Sequence, residues 1–184
     1  MIALWVILGI VVVFVLMVIG IYNSLVQLRL SVQNAWSQID IQLKRRHDLI
    51  PNLVETAKGY MAHERGTLEN VTKARQMAVD ASSIKDKLAA ENMLTSTLRS
   101  LMAVAENYPN LKADQTMMRL MEELTSTENK IGFSRQFYND ETNRYNAQIQ
   151  VFPNNILAGM FAFKAFDFFQ VEDAAERKAP EVRF

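Results

Sequence analysis

The sequence predicts an all-α protein in which an N-terminal transmembrane helix continues into an antiparallel helical bundle. Three observations carry this. The first 22 residues, MIALWVILGIVVVFVLMVIGIY, hold no charged side chain. From Leu25 onward, apolar residues recur three and four apart, the period of one helix face. Only four prolines and six glycines punctuate 184 residues rich in Leu, Ala, Met, Glu, Gln and Asn, a composition that favours helix over sheet.

Residues 1–22 form the anchor. About twenty apolar residues rising ~1.5 Å each cross the hydrocarbon core of a bilayer. Trp5 and Tyr22 mark its ends, where amphipathic rings settle. A cleaved signal peptide fits poorly, because no basic residue precedes the apolar run, the run is too long and no small-x-small site follows. No second run of comparable length exists, so the chain is expected to span once.

Residues 23–148 form the bundle. Leu25, Leu28, Val32, Ala35, Trp36, Ile39, Leu43, Ile50, Leu53, Ala57 and Tyr60 give the first core-facing stripe. No Gly/Pro/Ser linker follows the anchor, so anchor and first soluble helix are expected to be continuous. Leu68, Val71, Ala74 and Ala78 extend the pattern. Ser83 and Asp86 read as a capping box that starts another helix, with the stripe Ile84, Leu88, Thr95, Leu98, Met102 and Ala105. Pro109 closes it. Asp114 caps the last long helix, whose stripe is Met117, Met121, Leu124, Ile131, Tyr138, Tyr145 and Ile149, up to Pro153. If the chain breaks near residue 64 there are four helices; if residues 23–80 are one helix there are three. The four-helix reading is preferred.

The segment LKRRHDLIPNLVETAKGY, residues 43–60, interrupts the first stripe. Arg46 falls on a seam position between Ile39 and Leu53. Pro51 lacks an N–H, so the carbonyl of His47 loses its helical partner and a bend centred on His47 and Pro51 is expected. Two readings stand. One is a solvated polar face with a bend. The other makes Arg46 a buried or interfacial charge paired with an acid of another helix, for which Glu122, Glu123 and Glu128 are available.

Catalytic and cofactor chemistry is sparse. The chain has no cysteine, which removes disulfides, thiolate nucleophiles and thiolate metal sites. His47 and His63 stand on nearly opposite faces if they share a helix, about 24 Å apart. Neither belongs to an HExxH or Glu-x-x-His pattern. No Gly-rich phosphate loop and no GxSxG occur. The acidic pairs Glu122/Glu123, Asp140/Glu141 and Glu172/Asp173 are sequence neighbours, which diverge on a helix. Ten methionines at helical spacing read as core filler. No enzyme, cofactor or metal is expected. Formal charge is zero, which gives nucleic acid no electrostatic purchase.

Residues 149–171 hold six of the ten phenylalanines, Phe152, Phe161, Phe163, Phe166, Phe168 and Phe169. They form either a cap over the end of the bundle core or a docking surface for a second copy, another protein or the bilayer interface. Residues 172–184 form a polar C-terminal tail.

An N-terminal anchor followed by YNSLV, QNAWSQIDIQLKRRHDLIPNLVETAKGYMAHE, KAR, NRYN and FPNNILAGMFAF resembles the LemA family of bacterial membrane proteins over nearly the whole chain. The resemblance implies one N-terminal membrane helix, a soluble helical bundle and no assigned catalytic residue. It also implies a bacterial inner (cell) membrane location. Arg29 and the Lys44–Arg46 cations then place the bundle in the cytoplasm by the positive-inside rule. The functional expectation is a non-enzymatic scaffold that self-associates and organises membrane or membrane-protein assemblies; the alternative is an adaptor subunit of another membrane protein, such as a protease or transporter.

Overall fold

A computed structural model describes residues 1–169, the side chains of residues 84 and 85 excepted. The expected polar tail and the last two residues of the aromatic segment lie outside the described residues. Among the described residues six helices follow in order: α1 (Ile2–Lys58), α2 (Arg65–Asp80), α3 (Ile84–Ala105), α4 (Pro109–Ala113), α5 (Gln115–Gln148) and α6 (Asn154–Met160). No strand occurs among the described residues. The chain turns between α1 and α2, so the four long helices of the preferred reading are α1, α2, α3 and α5.

α1 passes from the apolar run into the soluble sequence without interruption, and Pro51 lies inside it. None of its most apolar eighteen-residue window is buried. A helix that was simply the core of a soluble domain would bury that window; this one is long and apolar enough to cross a membrane.

The chain divides into two compact units, residues 1–41 with 132–168, and residues 42–131 with Phe169. The second of these is a four-helix arrangement with one apolar core. Ile50, Leu53 and Ala57 of α1, Leu68, Val71 and Ala74 of α2, Leu94, Leu98 and Leu101 of α3, and Met117 and Leu124 of α5 meet there. Each fully buried Leu or Ile stabilises the fold by about 1.5–3 kcal/mol. Side-chain bonds fix the antiparallel register: Arg46 faces Glu128, and Tyr60 Oη donates to Asp114 at 3.1 Å, so moving forward along α1 moves backward along α5. Helix starts are capped as their sequences require. Ser83 Oγ accepts from Asp86 N at 3.0 Å, and Asp114 Oδ1 accepts from Met117 N at 2.8 Å.

Two stripes differ from the sequence reading. Tyr60 is 41% exposed while Met61 is fully buried, because α1 has ended at Lys58 and the helical period no longer applies. In α3 the buried line runs through Ala90, Glu91, Leu94, Leu98, Leu101 and Ala105, and Leu88, Thr95 and Met102 lie at its edges. A carboxylate on the true core line had shifted the apolar pattern to one side.

The other unit pairs the first part of α1 with the second part of α5. Leu25, Val32, Ala35, Ile39, Tyr138 and Tyr145 are among its buried residues, and the Trp36 and Tyr138 rings meet edge-on with centroids 5.5 Å apart. After α6 the chain runs as an extended strap without regular structure. Four of its backbone polar groups pair with side chains of α5. Tyr138 Oη donates to Asp167 O at 2.9 Å, and Tyr145 Oη donates to Lys164 O at 3.0 Å. Asn146 Nδ2 donates to Phe166 O at 2.8 Å, while its Oδ1 accepts from Phe166 N at 3.0 Å. Asn146 therefore mimics a strand partner for one residue. Asn146→Ala is expected to lower stability by about 1–3 kcal/mol by orphaning that pair. It should also raise amide exchange across residues 163–168 above the rest of the unit; unchanged exchange there would show that Asn146 does not hold the strap.

Candidate functional site

Arg46 projects from α1 into the core of the unit formed by residues 42–131, and its side chain is fully buried. Its helix position forces this, because it occupies the seam between buried Leu43 and Ile50. A guanidinium cannot lose its charge and must find anions. Two are supplied: Nη2 binds Glu91 Oε2 of α3, and Nη1 binds Glu128 Oε1 of α5. Nη1 also donates to Thr95 Oγ1 of α3 at 2.8 Å. Arg46 Nε has no hydrogen-bond partner among the described residues. The planar fork of arginine suits this use, since its separate N–H groups reach two helices at once.

Glu91 is as deeply buried as Arg46. Its second oxygen, Oε1, lies 2.9 Å from His47 Nε2. The contact is a close electrostatic one. Burial alone would raise the Glu91 carboxyl; His47 and Arg46 beside it outweigh burial and hold it below the ordinary carboxylate range. One guanidinium thus faces two carboxylates.

Pro51 adds to the same place. The carbonyl of His47, denied a helical N–H by the proline ring, accepts from Arg75 Nε of α2 at 2.7 Å. The cluster therefore draws on all four long helices: α1 through Arg46 and His47, α2 through Arg75, α3 through Glu91 and Thr95, and α5 through Glu128. The rest of the basic run does something else. Arg45 makes an exposed 3.6 Å pair with Glu123, and Lys44 is exposed.

Of the acids named from sequence for Arg46, Glu128 binds it, Glu123 binds Arg45, and Glu91 was not foreseen. Thr95 and Arg75 were not foreseen either. A signal for Glu91 existed: it stands three and seven residues before Leu94 and Leu98, a charge on a core line, as Arg46 is. The six phenylalanines do not act as one body. Phe166 meets Tyr145 with centroids 5.2 Å apart, Phe163 meets Tyr22 at 5.8 Å and Phe169 is buried, whereas Phe152, Phe161 and Phe168 are exposed. Trp5 is exposed as well.

Chemically, the cluster is equipped to fix helices. Two grooves open on the same unit, one along Val54, Lys58, Met61, Arg65 and Lys73 and one along Gln76, Met77, Asp80, Asp86 and Met93. Neither is lined by Arg46, His47, Glu91 or Glu128. Among the described residues, no three His, Cys, Asp or Glu side chains converge as metal ligands would.

An uninterrupted apolar helix leading into a helical bundle with an ion-locked core defines an N-terminally anchored, all-α membrane protein. The model of the LemA family matches residues 35–184. The chain belongs to the LemA family. It is similar to magnetosome protein MamQ 2 of Paramagnetospirillum magneticum, with 27% identity over 90% of this chain and 71% of that protein. It is also similar to protein LemA of Metamycoplasma hominis, with 26% identity over 79% of this chain and 67% of that protein. Neither name states a reaction.

Arg46→Met is expected to destabilise the fold by about 3–5 kcal/mol, because it strands the buried Glu91 charge. Adding Glu91→Leu should recover much of that loss in thermal melts; a double variant no better than the single would show that the charges are not what the core depends on. The lowered Glu91 carboxyl carries a pH signature. Its contribution to stability is present above about pH 4.5, the ordinary value, and is lost as pH falls through the lowered one. Melting temperature should fall more steeply below that pH in the wild type than in Glu91→Gln, and parallel curves would contradict the assignment.

Proposed function

We propose that this protein is a non-enzymatic membrane-anchored scaffold whose bundles associate with one another and so organise membrane or membrane-protein assemblies. The observation that supports it is Phe133 and Phe137, one turn apart on α5, 74% and 45% exposed. Aromatic pairs on one helix face are interface anchors. Lipid is not their cover. Phe137 adjoins Tyr138, which meets Trp36, and Trp36 lies about 21 Å along α1 beyond Tyr22. A protein surface at that height is what would bury them. The family and the MamQ and LemA relatives, none named for a reaction, fit a structural role.

The proposed location is the inner membrane with the bundle on the cytoplasmic side, resting on Arg29 and the exposed cations Lys44 and Arg45. A cysteine placed at Met77 should react with a membrane-impermeant thiol reagent only after cells are lysed, and reaction in intact spheroplasts would reverse the orientation.

In mild detergent the wild type is expected to sediment as a defined oligomer. Phe133→Ser with Phe137→Ser should reduce it to a monomer with little change in melting temperature, as exposed positions contribute within about 0.5 kcal/mol to the monomer fold. A wild type that is monomeric at micromolar concentration would overturn self-association. Crosslinking from these positions to one stoichiometric foreign membrane protein would favour the adaptor role instead.

A further inference from the structure

We infer that residues 151–161 form a second membrane contact, lying in the interfacial layer beside the point where α1 leaves the bilayer. The stretch VFPNNILAGMF exposes Val151 at 47%, Phe152 at 80%, Ile156 at 54%, Met160 at 72% and Phe161 at 50%. Leu157 and Ala158 of α6 turn inward instead, so this short helix has one face for the protein and another that water would have to cover. Residues 151–163 contain no charged side chain. A surface meant for a protein partner carries a polar and charged rim; this one offers only two asparagines.

Depth decides the occupant. Tyr22 closes the continuous apolar run of α1, and its ring packs edge-on against Phe161, with centroids 4.8 Å apart, and against Phe163 at 5.8 Å. Further along, the Arg29 guanidinium sits 5.2 Å over the Phe163 ring. Tyr22 and Arg29 are separated by about 10 Å along the helix, slightly more than the ~5–8 Å headgroup layer of one leaflet. Phe161 thus lies at the level where the hydrocarbon begins, and Phe163 lies among headgroups. Exposed Lys164 follows in sequence, next to the depth at which lipid phosphates sit. Apolar side chains of interfacial segments enter about 5–10 Å, within reach of Phe152, Ile156 and Met160. The occupant is therefore the lipid interface, and this patch differs from Phe133 and Phe137 in height and in absence of charge.

The chain has no cysteine, so single spin labels can be placed in the full-length protein reconstituted in phosphatidylcholine nanodiscs. Labels at Phe152→Cys, Ile156→Cys and Met160→Cys should favour collision with oxygen over a water-soluble nickel chelate. Their ratio should shift away from that of Met77→Cys and towards that of Val13→Cys in the span. A ratio like that of Met77→Cys overturns the inference. Shielding from both reagents also overturns it, because a protein surface would then be covering the patch. Hydroxyl-radical footprinting of the unlabelled wild type in the same nanodiscs avoids any folding defect of the variants. Met160, although more exposed than Met77, should oxidise several-fold more slowly, and equal rates would refute lipid cover. Both readouts are independent of oligomer size.

Discussion

A permanently charged guanidinium in the middle of a helical core leaves the surrounding sequence few choices. Removing such a group from water costs several kcal/mol, which only close and well-directed anions offset. Glu91 and Glu128 come from different helices, so meeting that requirement also fixes which turn of α1 lies beside which turn of α3 and α5. Apolar contacts alone are permissive about such slips, since one Leu layer resembles the next. A slip of one turn here would place Arg46 opposite Leu and leave two carboxylates stranded. Proline strengthens the same layer. By freeing the His47 carbonyl it creates an acceptor inside the bundle, and Arg75 binds it.

The unit built from residues 1–41 and 132–168 is held by another means. It has two long helices where the other unit has four, too few to enclose a core by themselves. A strap of irregular chain covers the remainder, and side chains of Tyr138, Tyr145 and Asn146 supply the hydrogen bonds that a neighbouring strand would give. Aromatic rings then fill the volume: Trp36 on Tyr138, Tyr145 on Phe166, Tyr22 on Phe161 and Phe163. The two tyrosines are seven residues apart, which keeps both on one face of α5 while the strap passes.

Much of the architecture was legible in the sequence because its signals are local. The uncharged N-terminal run, the three-four periodicity, the Ser83–Asp86 cap and the Asp114 cap each lie within a few residues of what they determine. The seven-residue recurrence of Leu124, Ile131, Tyr138 and Tyr145 is local in the same sense, and all four are buried. The charged cluster was only half legible. Arg46 stood out as a cation on an apolar seam, but its principal partner Glu91 disrupts the periodicity by which core positions are recognised, so the α3 stripe was displaced to Leu88, Thr95 and Met102. Arg75 was invisible because nothing in its own neighbourhood signals a missing hydrogen bond twenty-eight residues earlier. The phenylalanine-rich segment was legible as a cluster but not as divided, since half-burial of Phe163 and Phe166 and burial of Phe169, against exposure of Phe152 and Phe161, depend on where an irregular strap turns. Such turns have no period to read.

The discontinuous make-up of the strapped unit sets an order on its biosynthesis. Residues 42–131 are contiguous, so every helix segment needed for the ion-locked core has been translated before the second half of α5 is made. The strapped unit must wait for residues 163–168, which are translated last among its parts, while its first part is already committed to the apolar span. Until then the apolar stripe of Leu25, Val32 and Ile39 has only the second half of α5 as its cover. A nascent chain stalled before the strap would therefore present a greasy, half-assembled stalk to whatever chaperone or insertase is nearby.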